Sequence, residues 1–349
     1  MSEAVGDSVE RDATTATAAI AAWLRAQTDA GKVTITRYER LRGGAIQDNS
    51  RLDVTIEGGP WNGERAFVLR TDASSRVSAS LTRAQEYAVL RVAHAADVRA
   101  PAPRFLCTDP EVLGREFFLM DRLPGVAAGY RLTRDATLVP DPVALAHALG
   151  ANLARIHALR PPLVGLETLP APRRDPALDA IAIYRGWLDH LDDTYPALEW
   201  GLRWCELHAP ASFDVTLIHR DYRTGNYLVD EGRLTGVLDW EFAGFGDPRE
   251  DLGWFTARCW RFGAPDREAG GIARLEPFLD GYESVAGRRI TRSELDYWQV
   301  MAHLRWAIIA LQQAQRHRAG ERSLELALTG RIVHELEYEV LRLIEKSPR

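Results

Sequence analysis

From Val33 onward the chain alternates apolar and polar residues in short runs. Val33 to Leu41, Arg51 to Glu57 and Arg65 to Arg70 each predict a strand. Arg42-Gly43-Gly44-Ala45 and the turn-rich stretch 58–64 separate them. Leu81 to Ala96 carries helical spacing, and Arg104 to Cys107 and Arg115 to Asp121 read as two further strands around a turn at 108–114. The pattern describes a mostly antiparallel five-stranded sheet with one helix inserted after the third strand. Upstream, Ala13 to Gln27 suits a helix with Ile20, Trp23 and Leu24 on its apolar side, and residues 1–12 read as disordered.

At Arg122-Leu123-Pro124-Gly125 the composition changes, as at a linker, and helical periodicity dominates beyond it. Helices are predicted at Pro142 to Leu159, Pro176 to His190, Tyr195 to His208, Thr291 to Arg318 and Arg322 to Ile344. The expected class is α+β, organised as a tail and helix (1–32), a small N-terminal lobe (33–121) and a larger, mainly helical C-terminal lobe (122–349). One β-hairpin interrupts the helices: Tyr227 to Asp230, a tight turn at Glu231-Gly232, and a return strand from Arg233 to Leu238.

Hydrophobic residues make up 46% of the 349 positions and charged residues 26%, as in globular proteins. A net charge of −6 without a dense basic run argues against nucleic-acid binding. Cys107, Cys205 and Cys259 have neither disulfide-framework nor zinc-site spacing and fit a reducing cytoplasm. The acidic N-terminus lacks the basic region of a secretory signal. The most apolar helical run, Tyr297 to Leu311, is too short and polar to span a bilayer, so no membrane association is expected.

The hairpin sits inside the chemically richest stretch, 217–248. His219, Asp221 and Asn226 form an H-x-D-x-x-x-x-N pattern, and Asp239 follows Asn226 by thirteen positions. Phosphoryl transfer needs a carboxylate to orient the attacking hydroxyl and two oxygen ligands for magnesium, and these residues supply all three. With a two-residue turn, Asn226 is expected to face Val237 and Asp239 to share its sheet face. Diagonal neighbours there lie roughly 7–8 Å apart. One additional residue would flip Asp239 to the opposite face.

This stretch resembles the central signature of the aminoglycoside phosphotransferase and choline kinase family, small-molecule relatives of protein kinases. The resemblance runs from about Val33 to Phe255 and includes the second strand pair, the linker and the Leu-Ala-Arg-Ile-His-Ala-Leu helix around His157. It implies a protein-kinase-like two-lobed fold with ATP and Mg2+ as cofactors. It also implies that Asp221 is the catalytic base, with Asn226 and Asp239 as magnesium ligands. Arg223 becomes a candidate cation for the transferred phosphate, and Glu241 a candidate for a second metal. Gly43 and Gly44 would lay backbone N–H groups over phosphates. Met120 and Leu123 would belong to a hinge whose backbone reads adenine. Where kinases place a phosphate-binding lysine, the third strand carries Arg70, with Glu86 as its ion-pair partner; arginine can bind phosphate through its planar fork. The Val-Leu-Arg ending resembles the branch of kinase domains fused to acyl-CoA dehydrogenases.

The activity implied is transfer of the γ-phosphate of ATP to a hydroxyl of a small molecule: a hydroxyacyl-CoA, another hydroxylated metabolite or an aminoglycoside-like antibiotic. The alternative is a non-catalytic, pseudokinase-like nucleotide-binding module, motivated by Arg70. A metal hydrolase using His219 and Asp221 as ligands is a third class. His219 and His157 are expected to be structural, and Asp247 and Asp251 to anchor the catalytic loop or cap a helix. Most of Tyr184, Trp187, Trp200, Trp204, Tyr297, Trp298 and Trp306 are expected in the core, with some lining the acceptor pocket.

Overall fold

A computed structural model describes residues 2–41, 47–72, 80–172, 174–321 and 323–346, with side chains throughout except at 2–13 and 47. The glycine pair Gly43-Gly44 lies outside the described residues. The chain divides into two compact units. The first comprises Met1–Ala95, Ala100–Pro124 and Trp240–Phe242; the second comprises Ala96–Arg99, Gly125–Asp239 and Ala243–Arg349.

The first unit contains α1 (Ser2–Thr28), β1 (Lys32–Arg40), β2 (Gln47–Glu57), β3 (Gly63–Asp72), α2 (Arg83–Ala95), β4 (Pro103–Cys107), α3 (Pro110–Leu113) and β5 (Phe117–Asp121). Its sheet has five antiparallel strands in the order β1-β2-β3-β5-β4. Alternate residues Leu52, Val54 and Ile56 of β2, with Phe67 and Leu69 of β3 and Phe117 and Leu119 of β5, point to one face. Ile20 and Leu24 of α1 close that face, and Trp23 meets Phe117 edge-on at 4.9 Å. The helix begins at Ser2, so the expectation of disorder is corrected over 2–12; Glu3, Ala4, Glu10 and Arg11 are good helix formers there. The turn expected at 108–114 holds the short helix α3, because Asp109 caps the Glu111 N–H and Gly114 closes the helix at φ 74°.

The second unit contains α4 (Gly129–Arg134), α5 (Pro142–His157), α6 (Pro176–Leu188), α7 (Pro196–Leu207), β6 (Thr216–Ile218), β7 (Tyr227–Asp230), β8 (Arg233–Val237), β9 (Gly244–Gly246), α8 (Arg249–Thr256), α9 (Leu275–Ala286), α10 (Arg292–Arg318), α11 (Leu324–Arg331) and α12 (Val333–Lys346). Local sequence sets several starts. Asp141-Pro142 and Asp175-Pro176 each pair an N-cap carboxylate with proline at the first helical position, and Thr291 with Glu294 forms a capping box. The main core packs α6, α7, α10 and α12 through residues such as Ile181, Leu202, Leu304 and Val340. Helices α5 and α9 approach through reciprocal glycines: a Cβ on Gly150 would lie 1.9 Å from Phe278 O, and one on Gly281 2.0 Å from His147 O.

The single helix expected over Arg322 to Ile344 is two. Thr329, Gly330, Ile332 and Val333 are weak helix formers, and the Ile332 N–H turns back to Thr329 O at 3.2 Å. Trp187 and Trp200 are exposed (44% and 64%), which removes them from the expected core, whereas Tyr297 and Trp298 are buried. No helix among the described residues is long and apolar enough to cross a membrane.

Candidate active site

In the second unit, β6 and β9 pair antiparallel, Thr216 with Gly246 through Ile218 with Gly244. The chain leaves β6 at His219, forms a loop to Asn226, and makes the β7–β8 hairpin before reaching Asp239. The hairpin turn is as expected, with Asp230 opposite Arg233, but the register slips between Leu228 and Val229. Thr235 is the additional residue, so Tyr227 rather than Asn226 pairs with Val237, which corrects the expected facing. Asn226 O instead accepts the Leu238 N–H at 2.7 Å. Regular alternation ends there, because Asp239 takes a left-handed backbone with φ 59°. Strand parity therefore does not decide which way Asp239 points.

The loop is held rigidly from behind. Asp251, fully buried on α8, accepts the backbone N–H groups of His219 and Arg220 at 2.7 Å each, and its Oδ2 lies 3.2 Å from His157 Nε2. His157 Nδ1 meets the Tyr282 hydroxyl at 2.9 Å. Burial alone would raise the Asp251 carboxyl; the His157 hydrogen bond, the electrostatic pull of the neighbouring imidazoles and the His219 backbone N–H outweigh it and hold the group below the usual carboxylate range. Burial lowers His219, with the nearby carboxylates of Asp251, Asp221 and Asp239 opposing. Its two nitrogens make the contacts of a neutral ring: Nδ1 accepts the Asp221 N–H at 3.2 Å, which leaves Nε2–H to donate to Leu238 O at 2.9 Å. Both histidines and Asp251 thus have the structural roles expected of them, and Asp247 accepts the Arg249 N–H where α8 begins. Arg220 sits at φ 63°, a strained setting for a side-chain-bearing residue, and its carbonyl accepts Arg305 Nη1 at 2.6 Å.

Asp221 is the focus of this frame. Its Oδ1 accepts Trp254 Nε1–H at 2.9 Å and Arg223 Nε–H at 3.1 Å. Asn226 Nδ2 donates to Asp221 O at 3.0 Å and to Asp221 Oδ2. The Arg223 guanidinium lies 4.5 Å from the Trp260 ring centroid, and that of Arg305 lies 4.5 Å from Trp254. Arg223 is therefore no free surface arginine. Trp254 and Arg305 escaped the sequence reading; the only signal was the Gly-Trp after Asp251, whose indole N–H must find an acceptor when buried.

The donor set suits magnesium. Asn226 uses its Nδ2 for both side-chain contacts, and among the described residues its Oδ1 accepts no hydrogen bond, which leaves the amide oxygen for a cation. Magnesium is commonly held by one or two protein oxygens, with water and phosphate completing the shell. Among the described residues, no three His, Cys, Asp or Glu side chains gather as a metal cage. With both His219 nitrogens committed to protein partners, the hydrolase reading falls.

In the first unit, Arg70 and Glu86 pair at 2.8 Å with side chains only 2% and 1% exposed, so they are not a solvated surface pair. Met120 is buried on β5, an interior strand between β3 and β4. The Asp121 and Arg122 N–H groups are already taken by Ala102 O (2.9 Å) and Ala66 O (3.0 Å), which narrows the expected hinge to Leu123 and the carbonyls. Glu241 is buried in the first unit's 240–242 turn, and its carbonyl accepts the Leu81 N–H at 2.8 Å.

The profile of the phosphotransferase enzyme family matches residues 37–288. Acyl-CoA dehydrogenase family member 11 of Pongo abelii is 24% identical over 291 residues, covering 75% of this chain and 35% of that protein. Family member 10 of Mus musculus is 26% identical over 193 residues, covering 54% of this chain and 18% of that protein. The chain thus spans about a third or less of these two curated relatives. Among solved structures, a candidate aminoglycoside phosphotransferase from Ralstonia eutropha superposes with a TM-score of 0.76 at 22% identity, covering 95% of this chain and 99% of the other. A variant of aminoglycoside phosphotransferase APH(4)-Ia, in ternary complex with AMP-PNP and hygromycin B, gives a TM-score of 0.57 at 16% identity, covering 89% and 94%.

Proposed function

The chain belongs to the phosphotransferase enzyme family and is a small-molecule kinase; from that premise we propose that it transfers the γ-phosphate of ATP, with magnesium, to a hydroxyl of a small acceptor. The observation that carries this reading is the polarised setting of Asp221. A buried frame fixes its backbone, and Trp254, Arg223 and Asn226 fix its carboxylate. A carboxylate oriented this way can accept a hydroxyl proton as the oxygen attacks phosphorus. Asn226 and Asp239 would hold magnesium, which when bound neutralises charge on the donor phosphates. Arg70, fixed by Glu86, binds donor phosphate oxygens. Arg223 exchanges its contact with Asp221 for the transferred phosphoryl group, and Leu123 supplies the hinge contact to the base. Positioning and charge neutralisation then account for most of the rate. The nucleotide and aminoglycoside in the APH(4)-Ia complex support a two-substrate kinase of this type.

For the acceptor, a hydroxyacyl-CoA or similar hydroxylated metabolite fits better than a polycation. Among the described residues, the charged side chain paired with the base is the Arg223 guanidinium, which would repel a polycation. The relatives named as acyl-CoA dehydrogenase family members point the same way. A coupled ADP-release screen across hydroxyacyl-CoAs, choline-like alcohols, sugars and aminoglycosides tests both parts. Acceptor-dependent release with the acyl thioesters supports the reading. Release with aminoglycosides alone overturns the acceptor assignment, and nucleotide binding without any product favours the non-catalytic alternative.

A further inference from the structure

The Arg70–Glu86 pair is one end of a longer buried network in the first unit. Glu86 uses both carboxylate oxygens: Oε1 pairs with Arg70 Nε at 2.8 Å, and Oε2 pairs with Arg83 Nη1. The Arg83 side chain is fully buried, its Nε lies 2.9 Å from Asp72 Oδ1, and its Nη2 donates to Leu81 O at 3.0 Å. Leu81 in turn gives its N–H to Glu241 O at 2.8 Å. One guanidinium thus joins the end of β3, the segment leading into α2, and the carboxylate paired with Arg70.

Arg70 and Glu86 would already form a neutral pair, so a second buried cation is not needed to cancel Glu86. Burying it requires Asp72 to restore neutrality and several kcal/mol of desolvation to be offset. An apolar residue would fill the same space more cheaply. What the guanidinium adds is placement: its Nη1 donates to Glu86 Oε2, and the carboxylate held in this way sets the ion pair with Arg70, whose Nε lies 2.8 Å from Oε1.

We propose that Arg83 is a positioning residue that sets the orientation of Arg70 for donor-phosphate binding. The inference rests on the reading of Arg70 as a phosphate ligand.

The test measures binding of a non-hydrolysable ATP analogue with magnesium by calorimetry, beside steady-state kinetics and thermal melts, at a temperature where every variant is folded. Arg83→Met should weaken analogue binding about tenfold, the size of one charge-assisted hydrogen bond. The KM for ATP should rise in step while the acceptor KM stays put, and Arg83→Lys should recover part of the loss. In an Arg70→Met background, Arg83→Met should add less than a further ~2-fold, as coupled sites require. If Arg83→Met fails to fold, Asp72→Asn loosens the same brace and should give an intermediate loss. A variant that melts earlier but binds the analogue like the parent overturns the proposal, as does an undiminished effect without Arg70. A parent that fails to bind the analogue overturns the phosphotransfer reading too, so the two failures are distinguishable.

Discussion

Asp251→Asn removes one charge and one acceptor while preserving shape, and its consequences follow from the contacts of a single carboxylate. The wild-type group accepts two backbone N–H bonds at 2.7 Å and faces His157 at 3.2 Å, all without solvent. An amide has one acceptor oxygen, so one backbone N–H must face an NH2 group. A buried donor left without a partner costs about 1–3 kcal/mol, and converting the other charged bond to a neutral one costs about 1 kcal/mol more. The sum, about 2–4 kcal/mol, is a large part of an ordinary stability of about 5–15 kcal/mol. The same bonds hold Arg220 at φ 63°, a setting that itself costs about 1–2 kcal/mol. Once loosened, that strain relaxes through the loop and displaces Asp221; a misplacement of about 1 Å can cost on the order of 100-fold in rate. The expected result is a melting midpoint lower by roughly 3–6 °C and a kcat lower by about two orders of magnitude, with nucleotide affinity unchanged. A variant that melts within ~2 °C of the parent and turns over within ~2-fold refutes the view of Asp251 as the loop's anchor.

Three further outcomes follow. Asn226→Ala should raise the magnesium concentration needed for half-maximal nucleotide binding by about tenfold or more, as loss of one of two protein ligands requires; an unchanged magnesium titration removes Asn226 from the metal set. Trp254→Phe deletes the indole donor to Asp221 while keeping the ring under Arg305, and should lower kcat by about 3- to 10-fold with little change in melting temperature, the scale of one hydrogen bond. His303 is buried with its value pushed down to about 4 from the ordinary 6.5. A histidine lowered in the folded state stabilises above its unfolded value and loses that stability as pH falls toward the folded one, so unfolding free energy should drop by about 3 kcal/mol from pH 7 to pH 4. His303→Leu should flatten that part of a denaturant-derived pH profile; an unchanged slope assigns the acid sensitivity elsewhere.

Much of the architecture was legible because its signals are local. Alternation in β2 and β3 and Asp-Pro starts at α5 and α6 mark elements whatever lies around them. Short elements such as β6, β9 and α4 escaped because their stability comes from packing, not periodicity. The spacing of Asp221, Asn226 and Asp239 was plain, yet the bulge at Thr235 was not: an inserted residue leaves no mark in a Val-Asp-Glu-Gly-Arg-Leu-Thr-Gly-Val stretch already rich in turn formers. The residues least visible were those acting across long separations. Trp254 and Arg305 reach Asp221 and Arg220 from distant helices, and Arg83 reaches both Glu86 and Asp72; each looks like an ordinary helix residue until the chain folds.

The most direct measurement follows radiolabelled γ-phosphate from ATP onto a hydroxylated acceptor, with the parent protein and Asp221→Asn side by side. The parent should place label on the acceptor in proportion to ADP formed, while the variant binds nucleotide normally and labels nothing above background. Equal labelling by both proteins would contradict the assignment of Asp221 as the proton acceptor.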